Sequence, residues 1–260
     1  ADNDDGSCDY SCLNNYVDIN RNGHFVNDNF EGIFNEFSIE VIAKVDDFDP
    51  PGGTDYIIDI ASSDSDVSPV TNRIGIYVGD NYIEGTLDYS NGKTFYHTNN
   101  NDWMKIRTSW KSGEYVKLFV NDILVDEVVD NVAQSIELDE NTLIKIGERW
   151  DGGSGGRTFD GSVKSVKLFN SSLEDDDYEE SIINHWEFNI PNSSSEDIIG
   201  DNDLQYVGEL DWYPFEDVVW HEVNIGCTDE LACNYDENAN IDDGSCDYSC
   251  HDNGDYSLYF

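Results

Sequence analysis

One short stretch near the C-terminal end of the sequence carries oxygen-bearing side chains at alternate positions. Together with an acid five residues further on, the set is Asp236, Asn238, Asn240, Asp242 and Asp247. Such alternation followed by a closing acid is typical of a calcium-binding loop. However, Ile241 stands where the sharp turn of that loop requires Gly, and Asp247 stands where Glu is usual. The stretch therefore fits a Ca2+ site and an acidic, Asn-rich turn equally well.

The cysteines lie near the two ends of the sequence, and none lies in between. The six are Cys8, Cys12, Cys227, Cys233, Cys246 and Cys250. Clustered cysteines favour local disulfides in an oxidising compartment. Zinc is the competing interpretation, but acid-crowded loops with oxygen ligands suit zinc poorly. The sequence therefore predicts disulfide-stapled ends in a protein that is extracellular or attached to the cell surface.

The sequence lacks the patterns that are typical of enzymes. Residues 137–141 (ELDEN) come nearest to the Glu-x-Asp-x-Glu strand of some glycoside hydrolases, but Asn141 replaces the third acid. The five histidines show neither metal spacing nor a nucleophile motif. The Gly-rich residues 151–156 lack the strand–helix context of a phosphate-binding loop. We therefore predict that the protein is not an enzyme.

Acidic side chains dominate the composition. The 260 residues include 56 Asp and Glu against 13 Lys and Arg, for a formal net charge of −43. This charge excludes ordinary nucleic-acid binding and disfavours anionic membrane surfaces. No apolar run is long enough for membrane insertion. The fitting partners are cations, chiefly calcium, and neutral surfaces such as sugars, although part of the acid excess also serves solubility.

Short strands separated by Gly, Asn and Asp turns extend from residue 16 to about residue 223. Residues 37–45 alternate between apolar and polar side chains, which predicts a strand with one inward face. Asn121 and Asp122 form a hairpin turn between two further strands. One short helix is expected over residues 173–184, where acids suit its first turn. Many short strands without alternating helices predict an all-β fold, a two-sheet antiparallel sandwich.

Several segments of the body resemble one known family. Residues 102–125 (DWMKIRTSWKSGEYVKLFVNDILV) resemble the W-x-H-V-A-x-T-x-D-G…L-x-L-Y-V-N-G hairpin of concanavalin A-like domains, in particular the laminin-G/pentraxin-like jelly roll. Residues 144–149 and 159–173 are similar to the Y-I-G-R and F-x-G-x-I-D-D-V-R-I-Y-N-R-A-L segments that follow it. The resemblance implies a jelly-roll sandwich with one short helix and says little about function. The family's acidic pair is replaced by Lys164 and Ser165, so the resemblance does not extend to a metal site at that position.

The cysteine-bearing region resembles a second known element. Residues 226–246 resemble the G-C-T-D-x-x-A-x-N-Y-x-x-x-A-x-x-D-D-G-S-C module of secreted marine microbial surface proteins, and residues 239–250 recur in similar form as residues 1–12. Simpler relatives keep only the cysteines that match Cys227 and Cys246. The resemblance thus implies that these two pair and that Cys233 pairs with Cys250. Cys8 and Cys12 bond either to each other or to another copy, and the sequence does not settle the pairing.

These segments divide the sequence into four parts. Residues 1–14 are half a copy of the cysteine module, residues 15–225 are the jelly roll, residues 226–250 are the complete module, and residues 251–260 are a terminal strand. Asn170 and Asn192 match the acceptor pattern for N-glycosylation. In an Asn- and Ser-rich chain such matches also arise by chance.

The terminal strand leads to two hypotheses of function. The family's first strand is missing before residue 16, and the last five residues fit it: Tyr256, Ser257, Leu258, Tyr259 and Phe260. In the first hypothesis, the protein is an extracellular structural or adhesive subunit that donates this strand to the open sheet edge beside residues 16–19 of the next copy and so assembles head to tail. In the second, it is a calcium-dependent lectin-like module that binds surface glycans and whose strand completes its own sandwich. Tyr89, Tyr96 and Trp150 are the aromatic candidates for such a glycan site, and we favour the first hypothesis.

Overall fold

Strands account for almost all of the regular structure in the computed structural model of the chain. The structure describes residues 15–19, 23–50, 53–62, 73–87, 92–129, 132, 135–149, 158–173, 181–188, 194–208, 218–222, 225–227, 229–239, 241–242 and 245–249. In chain order the strands are β1 (Asn15–Ile19), β2 (Gly23–Asn27), β3 (Gly32–Phe34), β4 (Glu36–Val45), β5 (Asp55–Ser62), β6 (Arg73–Gly79), β7 (Tyr82–Leu87), β8 (Lys93–His97), β9 (Met104–Lys111), β10 (Tyr115–Val120), β11 (Ile123–Val128), β12 (Ile136–Leu138), β13 (Thr142–Ile146), β14 (Gly161–Phe169), β15 (Ile182–Glu187), β16 (Ser194–Ser195), β17 (Leu204–Gly208), β18 (Val218–Glu222), β19 (Ile225–Gly226) and β20 (Ile241–Asp242). Among these residues, no helix has the length and apolar character that crossing a bilayer requires.

Two eight-stranded antiparallel sheets form the body. The first sheet has the order β11-β10-β9-β4-β14-β1-β18, with β15 pairing beside β1 along the other part of β14. The second sheet has the order β16-β17-β2-β13-β5-β6-β7-β8. Two small sheets, β3 with β12 and β19 with β20, complete the described structure. The predicted two-sheet antiparallel sandwich is therefore confirmed.

The apolar faces of the two sheets form one core. In the first sheet Val41 pairs with Ile106 on one side and with Val166 on the other, and all three are fully buried. Ile58 and Ile76 form an equivalent buried pair in the second sheet. Because successive side chains of a strand point to opposite faces, the residues in between lie on the outer faces of the sheets. The inward face predicted for residues 37–45 is confirmed.

The hairpin between β10 and β11 has the turn that the sequence predicts. Asn121 and Asp122 have φ angles of 49° and 62°, so both central residues are left-handed. Asn and Asp tolerate this conformation better than most side chains. The Oδ1 of Asn121 also accepts a hydrogen bond from the Lys105 amide at 2.9 Å, which joins the turn to β9.

The predicted helix does not extend to Asn184. Residues 182–184 belong to β15, and Asn184 pairs with Leu168 of β14. Asn184 and Trp186 are both buried, whereas His185 between them is half-buried, which is the alternation of a strand. Tertiary pairing therefore overrides the local helix signal here. Residues 174–180 of the predicted helix lie outside the described residues.

The sheet edge that the sequence leaves open beside residues 16–19 is occupied. Strand β18 pairs with β1 over its whole length, with Asp18 opposite Val219 and Tyr16 opposite His221. Strand β14 holds the other side of β1. The prediction of an open acceptor position is therefore wrong. The proposed donor residues, 256–260, lie outside the described residues.

Candidate functional site

Three strands of the first sheet place polar side chains in one row on its outer face, and the loop before a fourth strand lies beside the row. Asp18 of β1 pairs with Ser162 of β14, and Ser162 pairs with Lys44 of β4. Trp103 directly precedes β9, whose first residue, Met104, pairs with Ala43 next to Lys44. The row therefore joins residues that are far apart in the sequence but adjacent across the sheet.

A cavity of about 230 Å³ opens above this row. We name it the Trp103 pocket, and its lining residues are Tyr16, Asp18, Lys44, Asn101, Asp102, Trp103 and Ser162. Ligand pockets commonly measure about 300–1,000 Å³. The pocket is therefore suited to a small ligand with a single ring or to one ring of a longer chain.

Two aromatic rings line one side of the pocket, and an ammonium group outside the lining lies against one of them. The Tyr16 and Trp103 ring centroids are 5.2 Å apart at an interplanar angle of 70°. The Nζ atom of Lys164 lies 4.3 Å from the Trp103 ring centroid, a cation–π contact. A β-bulge between Val163 and Ser165 contains Lys164, and such bulges re-aim side chains. Lys164 thus stands where the resembling family has part of its acidic pair, and here it supports the indole ring.

Charges in and beside the pocket are closely paired. The Nζ of Lys44 lies 2.8 Å from the Asp46 Oδ1. The hydrogen bond to Asp46 raises the pKa of Lys44, and the charges of Asp46 and Asp18 raise it further. Ser162 donates its hydroxyl to the Asp18 Oδ1. Burial, followed by the charge of Asp18, raises the pKa of Tyr16, so its phenol stays protonated at neutral pH.

The loop before β9 is shaped by its own side chains. The Asn100 amide donates to the Thr98 Oγ1 at 3.0 Å, and the Asp102 amide donates to the Asn100 Oδ1 at 3.1 Å. The Asn101 Nδ2 donates to the Asp46 carbonyl at 3.2 Å, which ties the loop to the end of β4. Such side-chain caps of the backbone are typical of Asn-rich turns. They hold Asn101 and Asp102 exposed at the rim of the pocket.

Local hydrogen bonds and disulfide bonding join the described residues of the segment predicted to be the cysteine module. Cys227 and Cys246 form a disulfide, with their Cα atoms 4.9 Å apart, which is the pairing that the resemblance implies. Cys233 is also disulfide-bonded, and Cys8, Cys12 and Cys250 lie outside the described residues. Asn234 donates to the Ser245 carbonyl at 2.8 Å and accepts from the Asp247 amide at 2.7 Å, so it joins residues 245–247 to the interior of the segment.

The residues predicted to bind calcium make local turn contacts. The Asp236 Oδ1 accepts the Asn238 amide at 2.9 Å. The Asp247 carboxylate accepts both the amide and the hydroxyl of Ser249, and these hydrogen bonds lower the pKa of Asp247. Asn240 and the Asp242 side chain lie outside the described part of the chain. Within that part, no three His, Cys, Asp or Glu side chains are grouped as a metal site requires, and Ca2+ binding stays a prediction.

The other residues selected from the sequence have simpler roles. Tyr96 is half-buried and packs against the core, whereas Tyr89, Trp150 and Asn192 lie outside the described residues. Asn170 is exposed in the turn after β14, and its amide donates to the Ser181 carbonyl at 3.0 Å. Residues 137–141 are the end of β12 and a turn in which the Asn141 amide donates to the Asp139 Oδ1 at 3.0 Å.

The sequence did not single out the Trp103 pocket. The Asn-rich stretch before Trp103 was visible, because consecutive Asn and Asp residues next to an aromatic residue form an exposed loop. Tyr16, Lys44 and Ser162 gave no such signal, since each is an ordinary outward residue of its own strand. Only the pairing of β1, β14 and β4 brings them beside the loop.

No family model matches the sequence, and no curated protein matches it. Several solved structures are similar to it. A putative carbohydrate binding protein from Bacteroides ovatus covers 81% of this chain with a TM-score of 0.58 at 14% sequence identity, and this chain spans 60% of the length of that protein. A heptameric SAP-like pentraxin from Limulus polyphemus has a TM-score of 0.48 at 13% identity over 62% of this chain and 78% of its own. Mouse laminin alpha1 chain domains LG4-5 have a TM-score of 0.46 at 11% identity over 64% of this chain and 44% of their own.

The similarity to the Bacteroides ovatus structure and the two observed sheets together define the fold class of the chain. At 14% identity the likeness shows the fold alone. The chain is a two-sheet antiparallel jelly-roll sandwich, as the sequence predicts. The resemblance of residues 226–246 to the cysteine module stays a prediction.

Proposed function

We propose that this protein is an extracellular carbohydrate-binding module and that the Trp103 pocket holds one sugar ring. The observation that carries the proposal is the combination, in one cavity of about 230 Å³, of two aromatic rings with carboxylate, ammonium, amide and hydroxyl groups. A sugar ring has an apolar C–H face and a rim of hydroxyl groups. Such a pocket provides a partner for each.

Different lining residues bind different parts of the sugar ring. Trp103 and Tyr16 provide aromatic surface for the C–H face. The carboxylates of Asp18 and Asp102 accept hydrogen bonds from hydroxyl groups, and Lys44 donates them. An ammonium has three donors, so Lys44 keeps its contact with Asp46 while it binds a ligand.

Two further observations support a secreted binding module. The Cys227–Cys246 disulfide fits an oxidising compartment. The solved structure with a TM-score of 0.58 is described as a putative carbohydrate binding protein. The sequence prediction that the chain is not an enzyme agrees with this function.

Replacing Trp103 with alanine tests the site. We expect Trp103→Ala to weaken sugar binding by about 2 kcal/mol, roughly 30-fold, because an aromatic anchor at the centre of a pocket contributes most of such an interface. Glycans that bind are first found on an array, and their affinities are then measured by titration calorimetry. Tyr235→Ala removes an exposed aromatic ring of the cysteine module and serves as the control.

Asn101→Ala is a second variant for the same test. Asn101 is exposed, so its loss leaves the core intact, and it also lines the pocket. If Trp103→Ala and Asn101→Ala both bind the selected glycan as tightly as the natural protein, the site lies elsewhere. If no sugar on the array binds, carbohydrate binding is the wrong function.

Head-to-tail assembly, the other function that the sequence predicts, meets an obstacle in the fold. Among the described residues, β18 already pairs along β1 where the donated strand was expected. A strand from a neighbour would have to displace β18 or pair with its far edge. Assembly through the terminal strand therefore stands as the alternative function, and sugar binding is preferred.

Deleting residues 256–260 distinguishes the two functions. We expect the deletion to leave the state of association unchanged, because the predicted acceptor position is filled by residues of the same chain. Sedimentation velocity at several protein concentrations measures this. If the natural protein forms polymers and the shortened protein is a monomer, strand donation is restored as the function.

A further inference from the structure

We infer that the Trp103 pocket selects neutral sugars and rejects those that carry a carboxylate or a sulfate. This inference rests on the proposed function and adds the class of ligand. Its basis is the placement of three carboxylates, those of Asp18, Asp46 and Asp102, in and beside a pocket whose one lining cation is Lys44.

The positive charge of Lys44 is already balanced by carboxylates of the protein. Its Nζ lies 2.8 Å from the Asp46 carboxylate. The charge of Asp18 acts on it as well, since Asp18 is among the groups that raise the pKa of Lys44. An anionic ligand that approached Lys44 would therefore meet two carboxylates around the same ammonium, and the repulsion would cancel its attraction.

The second cation nearby is directed at the indole ring. Lys164 is 3% exposed, and its Nζ lies over the Trp103 ring. It does not belong to the seven residues that line the cavity. Lys164 therefore supports Trp103 and does not offer an anchor to an anion.

Hydroxyl groups, in contrast, find acceptors in the pocket. Asp18 is held in position by the Ser162 hydroxyl, and Asp102 is exposed at the rim. Carboxylates accept hydrogen bonds and repel other carboxylates, so the same two groups favour a neutral sugar and disfavour an acidic one. The net charge of −43 adds a long-range repulsion of the same sign.

Matched glycosides test this selection. Methyl glycosides of glucose, galactose and mannose are each compared with the corresponding 6-carboxylate, which differs only at C6. We expect the neutral member to bind about tenfold more tightly at roughly 20 mM salt. At roughly 500 mM salt the preference shrinks to about twofold or threefold, because salt screens the exposed carboxylates. Titration calorimetry measures both affinities.

Removing one carboxylate tests whether the pocket carboxylates cause the preference for neutral sugars. Asp102→Asn keeps the shape of the side chain. It is expected to reduce the preference for the neutral sugar over its 6-carboxylate at low salt by about threefold, mainly because the acidic sugar then binds more tightly. Asp201→Asn removes the same charge from an exposed loop outside the pocket and is expected to leave the preference unchanged.

The outcomes distinguish the selection of neutral sugars from the proposed sugar binding itself. A 6-carboxylate that binds as tightly as its neutral partner at low salt, or more tightly, overturns the selection while leaving sugar binding intact. A preference that Asp102→Asn and Asp201→Asn change equally also overturns it, because the pocket carboxylates would then not be the cause. Absence of binding by every neutral and acidic glycoside, and by the glycans of the array, overturns the proposed function itself.

Discussion

Arg73→Ala is expected to cost about 3–5 kcal/mol of the free energy of unfolding, the largest effect of any single change considered for this fold. Arg73 is bonded to Asp59 twice on the outer face of the second sheet, through Nε to Oδ1 at 2.7 Å and through a terminal nitrogen to Oδ2 at 2.6 Å. Both residues are almost completely buried, with exposures of 1% and 0%. Removing the guanidinium would leave a buried carboxylate without its counter-charge.

Two tyrosines complete the surroundings of this ion pair. The guanidinium carbon of Arg73 lies 5.0 Å from the ring centroids of both Tyr56 and Tyr77. The Tyr77 hydroxyl donates to the Asp59 Oδ1 at 2.9 Å. Burial, followed by the charge of Asp59, raises the pKa of Tyr77 far above its usual value, so the phenol remains a donor. The rings also account for part of the expected loss, because they stack on the guanidinium.

Chemical denaturation at neutral pH measures this effect, and two controls define it. Lys111→Met breaks the ion pair with Glu114, whose side chains are 36% and 58% exposed, and is expected to cost less than about 1 kcal/mol. The double variant Arg73→Met with Asp59→Leu removes both charges and is expected to recover much of the lost stability. An Arg73→Ala protein within about 1 kcal/mol of the natural one would contradict the prediction.

Asp197→Ala is expected to lower stability by about 3 kcal/mol, the second largest effect, because one carboxylate holds several donors. The Asp197 carboxylate accepts the amides of His185 at 2.9 Å, Ile199 at 3.2 Å and Asn202 at 3.3 Å, and also the side-chain amide of Asn184. It therefore joins residues 196–203 to β15. Without it, donors that are partly or fully buried lose their acceptor together.

Three variants separate this role from a simple charge effect. Asp201→Asn removes an exposed charge of the same loop and is expected to leave stability unchanged. Asp197→Asn keeps one acceptor oxygen and is expected to lose less than Asp197→Ala. Gly200→Ala is expected to reproduce part of the loss, since a Cβ there would stand 2.5 Å from the Asp197 Oδ2. Thermal unfolding and amide hydrogen exchange of residues 196–203 measure the changes, and an Asp197→Ala protein with unaltered exchange in this loop would refute the role.

Local sequence patterns predicted the fold class because strands and hairpin turns depend on neighbouring residues. The alternation along residues 37–45 defines the buried face of β4, since the side-chain period of a strand is two. Asn121 and Asp122 suit the left-handed turn that joins β10 to β11. The Cys227–Cys246 pairing, in contrast, was implied only by the resemblance of this segment to a known module.

Local sequence patterns did not show which strands pair with each other. Residues 218–222 (VVWHE) and 256–260 (YSLYF) are both rich in β-branched or aromatic residues, so either could lie beside β1 on propensity alone. In the structure β18 takes that position. The acids before residue 182 likewise favoured a helix, but pairing with β14 makes residues 182–187 a strand. Strand pairing joins distant residues, and a pattern with period two carries no information about which strand is the neighbour.

The Trp103 pocket likewise depends on tertiary structure and not on local sequence. Composition alone indicated an acidic protein suited to neutral ligands and cations, because net charge is a sum over residues. The pocket arises only in the folded sheet, where Tyr16, Lys44, Trp103 and Ser162 meet from four separate segments. Each is an unremarked outward residue in its own strand or loop. The register between the strands, which long-range pairing sets, makes them one site.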